Sequence, residues 1–194
     1  MGISRDARRS ATRELAVVVL FAILTLAMTW PLAIGMSSAV AFPADPYINV
    51  WILDWVWHAA RTSPLQLFHA NIFHPLSWTL AFSENLIGIA LLLFPLRAIG
   101  VEPLLAHNVA LILGFIFTSW GAYLLGRILT GSTGAGIVAG IFFAFLPWRF
   151  THLSHLQHMW PAGCPCCSHR WWHIAAGIPG CELRALEARR SGTG

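Results

Sequence analysis

Long apolar runs separated by short polar breaks dominate this chain. After a polar, cationic opening (MGISRDARRSATRE), Leu15 to Met36 gives 22 residues without a charge. As a helix that run covers about 33 Å, enough to cross a bilayer core. Further apolar runs follow at residues 85–99, 104–126 and 134–150. The pattern predicts an all-α fold: a polytopic transmembrane helix bundle with about four spans, at ~15–36, ~85–99, ~104–126 and ~134–150. The arginines ahead of the first run predict a cytoplasmic N-terminus (residues 1–14), which puts residues 37–84 in a long external loop. A secretory signal peptide cut after Ala39-Val40-Ala41 is the rival reading. Against it stand the further spans and a run longer than the usual apolar core of about 7–15 residues.

Within the external loop, Tyr47 to Arg61 (YINVWILDWVWHAAR) has helical periodicity. Ile48, Trp51, Ile52, Trp55 and Ala59 are expected on one face, with Tyr47, Asp54, His58 and Arg61 on a polar facet beside it. Three Trp and one Tyr in such a helix suit a membrane interface. The helix then serves either as an anchor over the ends of other helices or as the wall of a site at the membrane surface. Pro64 is expected to end it, and Ser63 to Ser77 to follow as an irregular surface loop.

The fourth run opens with Gly136-x-x-x-Gly140, overlapped by Ala135 and Ala139, a spacing that lets two helix backbones approach closely in lipid. Beyond it, in Arg149 to His158 (RFTHLSHLQH), His152, His155 and His158 recur every three residues. On one helix they would share a single arc. Three neutral imidazoles make a polar pocket wall, or part of a metal shell that no nearby carboxylate completes. Beside Arg149 at a membrane boundary, an anionic headgroup or phosphate is the ligand such groups suit.

Composition strengthens the membrane reading. The chain is 57% hydrophobic and 10% charged, against about 25% charged in soluble domains. All 12 cationic residues are Arg, which removes Lys-dependent chemistry such as P-loop phosphate binding or a Schiff base. They cluster at the two ends, so the net charge of +4 implies neither nucleic acid nor an acidic partner. At residue 162 the composition changes: Cys164, Cys166, Cys167 and Cys181 are all the cysteines present, and Arg, Gly and Trp become frequent. Cys164, Cys167, His169 and His173 outline a zinc site on paper, without a second structured half. Residues 162–194 are expected to be a non-membrane tail, and a frame slip in a GC-rich gene is the preferred explanation of their composition.

Residues 42–161 also carry a resemblance. It runs through Asp45-Pro46, Trp51-Ile52-Leu53, Trp55 and His58, then Pro64-Leu65, Leu67-Phe68, Ala70-Asn71-Ile72-Phe73, Pro75, Thr79-Leu80-Ala81 and Ser83-Glu84-Asn85. It continues in Tyr123-Leu124-Leu125, Arg127, Leu129-Thr130-Gly131, Phe143-Ala144-Phe145, Pro147, Arg149-Phe150, His152-Leu153 and His155-Leu156-Gln157. These motifs resemble the opening of large bacterial polytopic proteins similar to the GT-C glycosyltransferases, the group that includes protein mannosyltransferases and aminoarabinose transferases.

The resemblance implies a plasma-membrane (inner-membrane) multi-pass enzyme that moves a sugar from a polyprenyl-phosphate donor to an extracytoplasmic acceptor. This chain would be an N-terminal portion of it, inactive alone. Its partners would be membrane lipids and the polyprenyl-phosphate-linked sugar. Asp45 matches the position of the catalytic base. Relatives often carry an adjacent acidic pair, whereas Asp45 lies between Ala44 and Pro46; this weakens a divalent-cation cofactor, assigns no metal ligands, and leaves room for a single-base mechanism. Asp45 is alternatively an Asp-Pro cap of the following helix. Glu84, Asp54, His58, Arg61, Arg149, His152 and His155 are the candidate substrate-binding residues. Glu84 is alternatively only a favourable charge at a helix start, and Arg149 reaches a donor phosphate only if its end of the bundle faces the site. The other function class is a non-catalytic polytopic protein, a transporter or assembly subunit, which would place polar or broken positions at mid-span.

Overall fold

The computed structural model describes residues 3–41 and 45–160, with side chains from residue 11 onward. The cysteine-bearing tail and its paper zinc site lie outside the described residues. The described chain is all-helical. Its helices are α1 (Ile3–Met28), α2 (Asp45–Thr62), α3 (Ile87–Ala98), α4 (Pro103–Thr130), α5 (Thr133–Ala144), α6 (Pro147–Thr151) and α7 (Leu156–Met159), with short 3₁₀ turns at Pro64–Gln66 and Thr79–Phe82.

Three stretches are long and apolar enough to cross a membrane: Ala11–Met28, Pro103–Thr130 and Thr133–Thr151. The protein is therefore a membrane protein. The segment expected as the second span behaves differently. Its helix, α3, has 12 residues, about 18 Å, which falls short of a ~30 Å hydrocarbon core. Leu86 precedes it with φ 48°, a left-handed residue that cannot continue a helix backward, and Ile99 and Gly100 end it.

Helices α4 and α5 form a tight hairpin. Gly131 ends α4 with φ 72°, and the Ser132 side chain accepts from the Ala135 N–H to start α5. The small residues of α5 do what their spacing predicts. A Cβ on Gly136 would lie 2.7 Å from the Tyr123 carbonyl oxygen, and one on Gly140 would lie 2.7 Å from the Ser119 carbonyl and 2.5 Å from the Phe21 ring. Only hydrogen at these positions lets α5 seat against α4 and α1.

Helix α1 runs antiparallel to α4. At the end where α1 starts, here the proximal end, Glu14 accepts from Arg127 and from the Tyr123 hydroxyl. At the opposite, distal end the Asn108 amide donates to the carbonyls of Met36 and Ala39, at 2.8 and 2.7 Å. The core divides accordingly. Val17, Phe21 and Tyr123 form a small proximal cluster. A larger distal cluster joins Leu32, Ile52, Val56, Leu80, Leu93, Ala110, Phe115, Leu156 and Met159.

Helix α2 ends at Thr62, before Pro64 as expected, and its buried side takes in only Ile52 and Ala59 of the expected apolar face. Asn49, Ile52, Leu53, Val56 and Ala59 are buried, while Ile48 is 44% exposed. Trp51 and Trp55 stack on each other at 6.3 Å, and the Trp55 ring N–H donates to the Leu67 carbonyl. The tryptophans therefore cover the edge of the distal core and hold the following loop, rather than filling the core.

Candidate functional site

The expected single helix through the three histidines does not form. Leu146 has ψ 137°, in the region favoured before a proline, and Pro147 starts the five-residue α6. His152 and His155 flank a non-helical break, and α7 follows. Contacts to α4 fold this segment back on itself. Arg149 donates to the Met159 carbonyl at 2.9 Å and to the Thr118 hydroxyl at 3.4 Å, and Thr118 itself donates to the same carbonyl. The guanidinium lies 5.2 Å from the centre of the Phe115 ring. Gly114 admits the Met159 backbone, which a Cβ there would meet at 2.9 Å. Arg149 is buried. Its end of the bundle does face the distal surface, but its guanidinium points inward and holds the 147–160 fold together.

This folding-back gathers the imidazoles by a different route. The rings of His152, His155 and His158 lie 5.6–6.2 Å apart, and His152 stacks on Trp148 at 4.3 Å. Glu84 faces this group. Its carboxyl is held below its ordinary value of 4.5, mainly by its own backbone N–H; burial, the next-largest effect, opposes this, and the Ser83 hydroxyl and the charges of His155 and His158 add to the lowering. His158 is pushed below 6.5 by burial first, then by His155 and His152, with Glu84 pulling the other way and Arg149 adding to the depression. Among the described residues, no three His, Cys, Asp or Glu side chains are arranged to hold a metal ion.

Asp45 is the exposed first residue of α2. One helical turn on, Asn49 donates to the Ser154 carbonyl at 2.7 Å, pinning the start of α2 against the histidine segment. Residues four apart share a helix face, so Asp45 stands on the side of α2 that meets this segment. Phe150 and Leu153 of the same segment close an apolar groove of about 740 Å³, whose other wall is Met28 to Gly35 and Ala39 to Ala41. Asp45, Glu84, His152, His155 and the groove therefore share the distal end.

Asp54, His58 and Arg61 do not join them. Asp54 is nine residues from Asp45, about 14 Å along the axis and about 180° around it. With Trp57, Thr62 and Arg97 these residues line a second cleft, about 400 Å³, between α2 and α3. There Asp54 pairs with Arg97, which also donates to the Val101 carbonyl, and Arg61 lies 4.8 Å over the Trp57 ring. The site residues expected from sequence thus fall into two places. Sequence reasoning missed Arg97 as a member of the second. A carboxylate on a facet otherwise bearing His58 and Arg61 was the available hint that a cation would come from another helix.

No family model, curated protein or solved structure matches this chain.

Proposed function

We propose that this membrane protein is part of a GT-C-like sugar transferase, acting on a polyprenyl-phosphate-linked sugar at the outer face of the plasma membrane. One observation carries the reading: an apolar groove shares its Phe150–Leu153 wall with a surface bearing Asp45, Glu84 and the imidazoles. A lipid-borne donor needs that adjacency. Its isoprenoid chain takes the groove, and its phosphate and sugar emerge beside the polar groups. The Arg-rich N-terminus stays cytoplasmic, so the distal end lies outside.

The chemistry follows from the groups at hand. The Asp45 carboxylate accepts the proton of the acceptor hydroxyl as its oxygen attacks the anomeric carbon. The bond from that carbon to the donor phosphate oxygen breaks, and polyprenyl phosphate leaves with the electron pair. A ring N–H of His155 donates to the phosphate oxygens, the His152 ring is held beside it by its Nδ1–H to the Trp148 carbonyl at 2.8 Å, and Glu84 accepts from sugar hydroxyls. Arg149 acts as a positioning residue that holds the 147–160 segment.

The test is sugar transfer in membranes bearing a full-length relative with the same motifs. Replacing the aspartate that corresponds to Asp45→Asn should lower transfer by roughly 100-fold or more, the range of a lost general base, at unchanged expression. Unchanged transfer would refute the assignment.

A further inference from the structure

The second cleft is not used by this reading. It lies on the opposite face of α2, at least about 14 Å along the helix from Asp45, and its composition asks for a ligand. Its charged lining is Asp54, Arg61 and Arg97, with His58 beside them. One carboxylate against two guanidiniums leaves an excess of positive charge. Asp54 and the Val101 carbonyl engage the two terminal nitrogens of Arg97, while its Nε is buried without a partner. Arg61 rests on the Trp57 face and, among the described residues, forms no ion pair or hydrogen bond, so its N–H edge is open to the cleft. A planar fork of donors of this kind matches the oxygens of a phosphate group.

The surroundings say where that phosphate comes from. The exposed side of α3 is Leu91, Leu92, Pro95, Ala98 and Ile99, positions that recur at three- and four-residue spacing and make one apolar face. Its opposite side sends Arg97 to Asp54. A helix of 12 residues, too short to cross the hydrocarbon core, with an exposed apolar outer face and Arg97 on its inner side near the C-terminal end, suits a place at the membrane surface where a guanidinium reaches headgroups. Trp57, which lines the cleft, suits the same depth.

We propose that the α2–α3 cleft binds the phosphate of an anionic phospholipid, with Arg61 and His58 as the open donors, Arg97 as the fixed cation behind them, and the acyl chains along the apolar face of α3. The ligand tethers the α2–α3 pair to the leaflet surface.

The intact chain is reconstituted into nanodiscs of phosphatidylcholine with or without a minor fraction of phosphatidylglycerol, released, and weighed by native mass spectrometry. The wild type should retain one phosphatidylglycerol in preference to phosphatidylcholine. Arg61→Gln should lower that retention about fivefold, the scale of one lost charge-assisted hydrogen bond at a partly exposed site. Arg61→Lys should keep most of it. Because Arg61 is exposed, both variants should show wild-type circular dichroism, and a variant that does not is replaced by His58→Gln, with a smaller loss expected. Equal retention of the two lipids by the wild type, or undiminished retention by Arg61→Gln, overturns the proposal. So does displacement of the bound lipid by millimolar inorganic phosphate, which would make the ligand a soluble phosphate instead. None of these readouts involves sugar transfer, so failure here leaves the Asp45 assignment standing, and the reverse also holds.

Discussion

The two ends of the bundle treat charge in opposite ways. At the proximal end, Glu14, Arg127 and Tyr123 close on one another. The carboxylate accepts from the guanidinium and the phenol, and the guanidinium also donates to the phenol oxygen and lies 5.8 Å from its ring centre. At the distal end, buried polar groups bond mostly to backbone carbonyls instead: Asn49 to Ser154, Asn108 to Met36 and Ala39, Arg149 to Met159. Each of these bonds fixes a loop while leaving the titratable side chains Asp45 and Glu84 at the surface. A charge neutralised by another side chain is structure. A loop pinned through its backbone keeps its side chains available for a ligand, and that contrast is the physical ground for placing function at the distal end.

The contrast breaks first if the proximal half is not the rigid one. Gly140→Leu should have the largest effect of the changes considered, because its side chain would collide with the Ser119 carbonyl and the Phe21 ring on two different helices. Overpacking of this kind costs about 3 kcal/mol or more, and we expect a large loss of folded protein and of thermal midpoint in detergent. Gly134→Leu is the control. Its position meets nothing closer than the Ser132 hydroxyl at 3.8 Å, so its effect should stay within about 0.5 kcal/mol. Similar losses in both variants would mean that α5 is not held by close backbone approach.

A smaller and more local effect is expected at the distal pin. Asn108→Leu removes both donors to the 36–39 carbonyls, at a cost of about 2 kcal/mol. Hydrogen exchange should speed up in residues 30–41, which wall the apolar groove, and not in the α4–α5 hairpin. Uniform acceleration through the whole chain would mean that the two ends do not differ in how they are held.

What was legible in the sequence follows the same division. The small-residue seam of α5 and the stop before Pro64 are local signals, and the structure uses both as read. Which side of α2 is buried was not legible, because burial there is decided by partners far along the chain. Asn49, polar in any periodicity count, is buried because the Ser154 carbonyl awaits it 105 residues later. Trp51 and Trp55, apolar in the same count, stay at the edge because one ring N–H is needed by Leu67. The histidine spacing suggested the right cluster for the wrong reason. Arg149 and Gly114, not helical phase, bring the rings together. Arg97 escaped notice because an arginine near a helix end is ordinary, and only the fold sets it against Asp54.

The subtlest consequence is a pH dependence confined to the distal end. His158 faces His152, His155, Glu84 and Arg149, and its folded imidazole lies below 6.5. Above 6.5 the ring is neutral in both the folded and unfolded chain and contributes nothing to the pH dependence. As pH falls below 6.5 the unfolded chain takes up a proton that the folded ring resists, so stability declines until the folded value is passed. Glu84 has the same sign at lower pH. Its folded carboxyl lies below 4.5, so the stability it supplies is present above 4.5 and is lost as pH falls through the folded value. The distal end should therefore loosen in two stages on acidification, read as faster hydrogen exchange in residues 152–160. His158→Gln should flatten the first stage and keep the second, and Glu84→Gln should do the reverse. The effect is modest because both side chains are exposed and solvent screens them. A profile that stayed flat below 6.5, or one that His158→Gln left unchanged, would show that the ring contacts at 5.6–6.2 Å do not couple these groups, and the distal surface would lose its claim to act as one site.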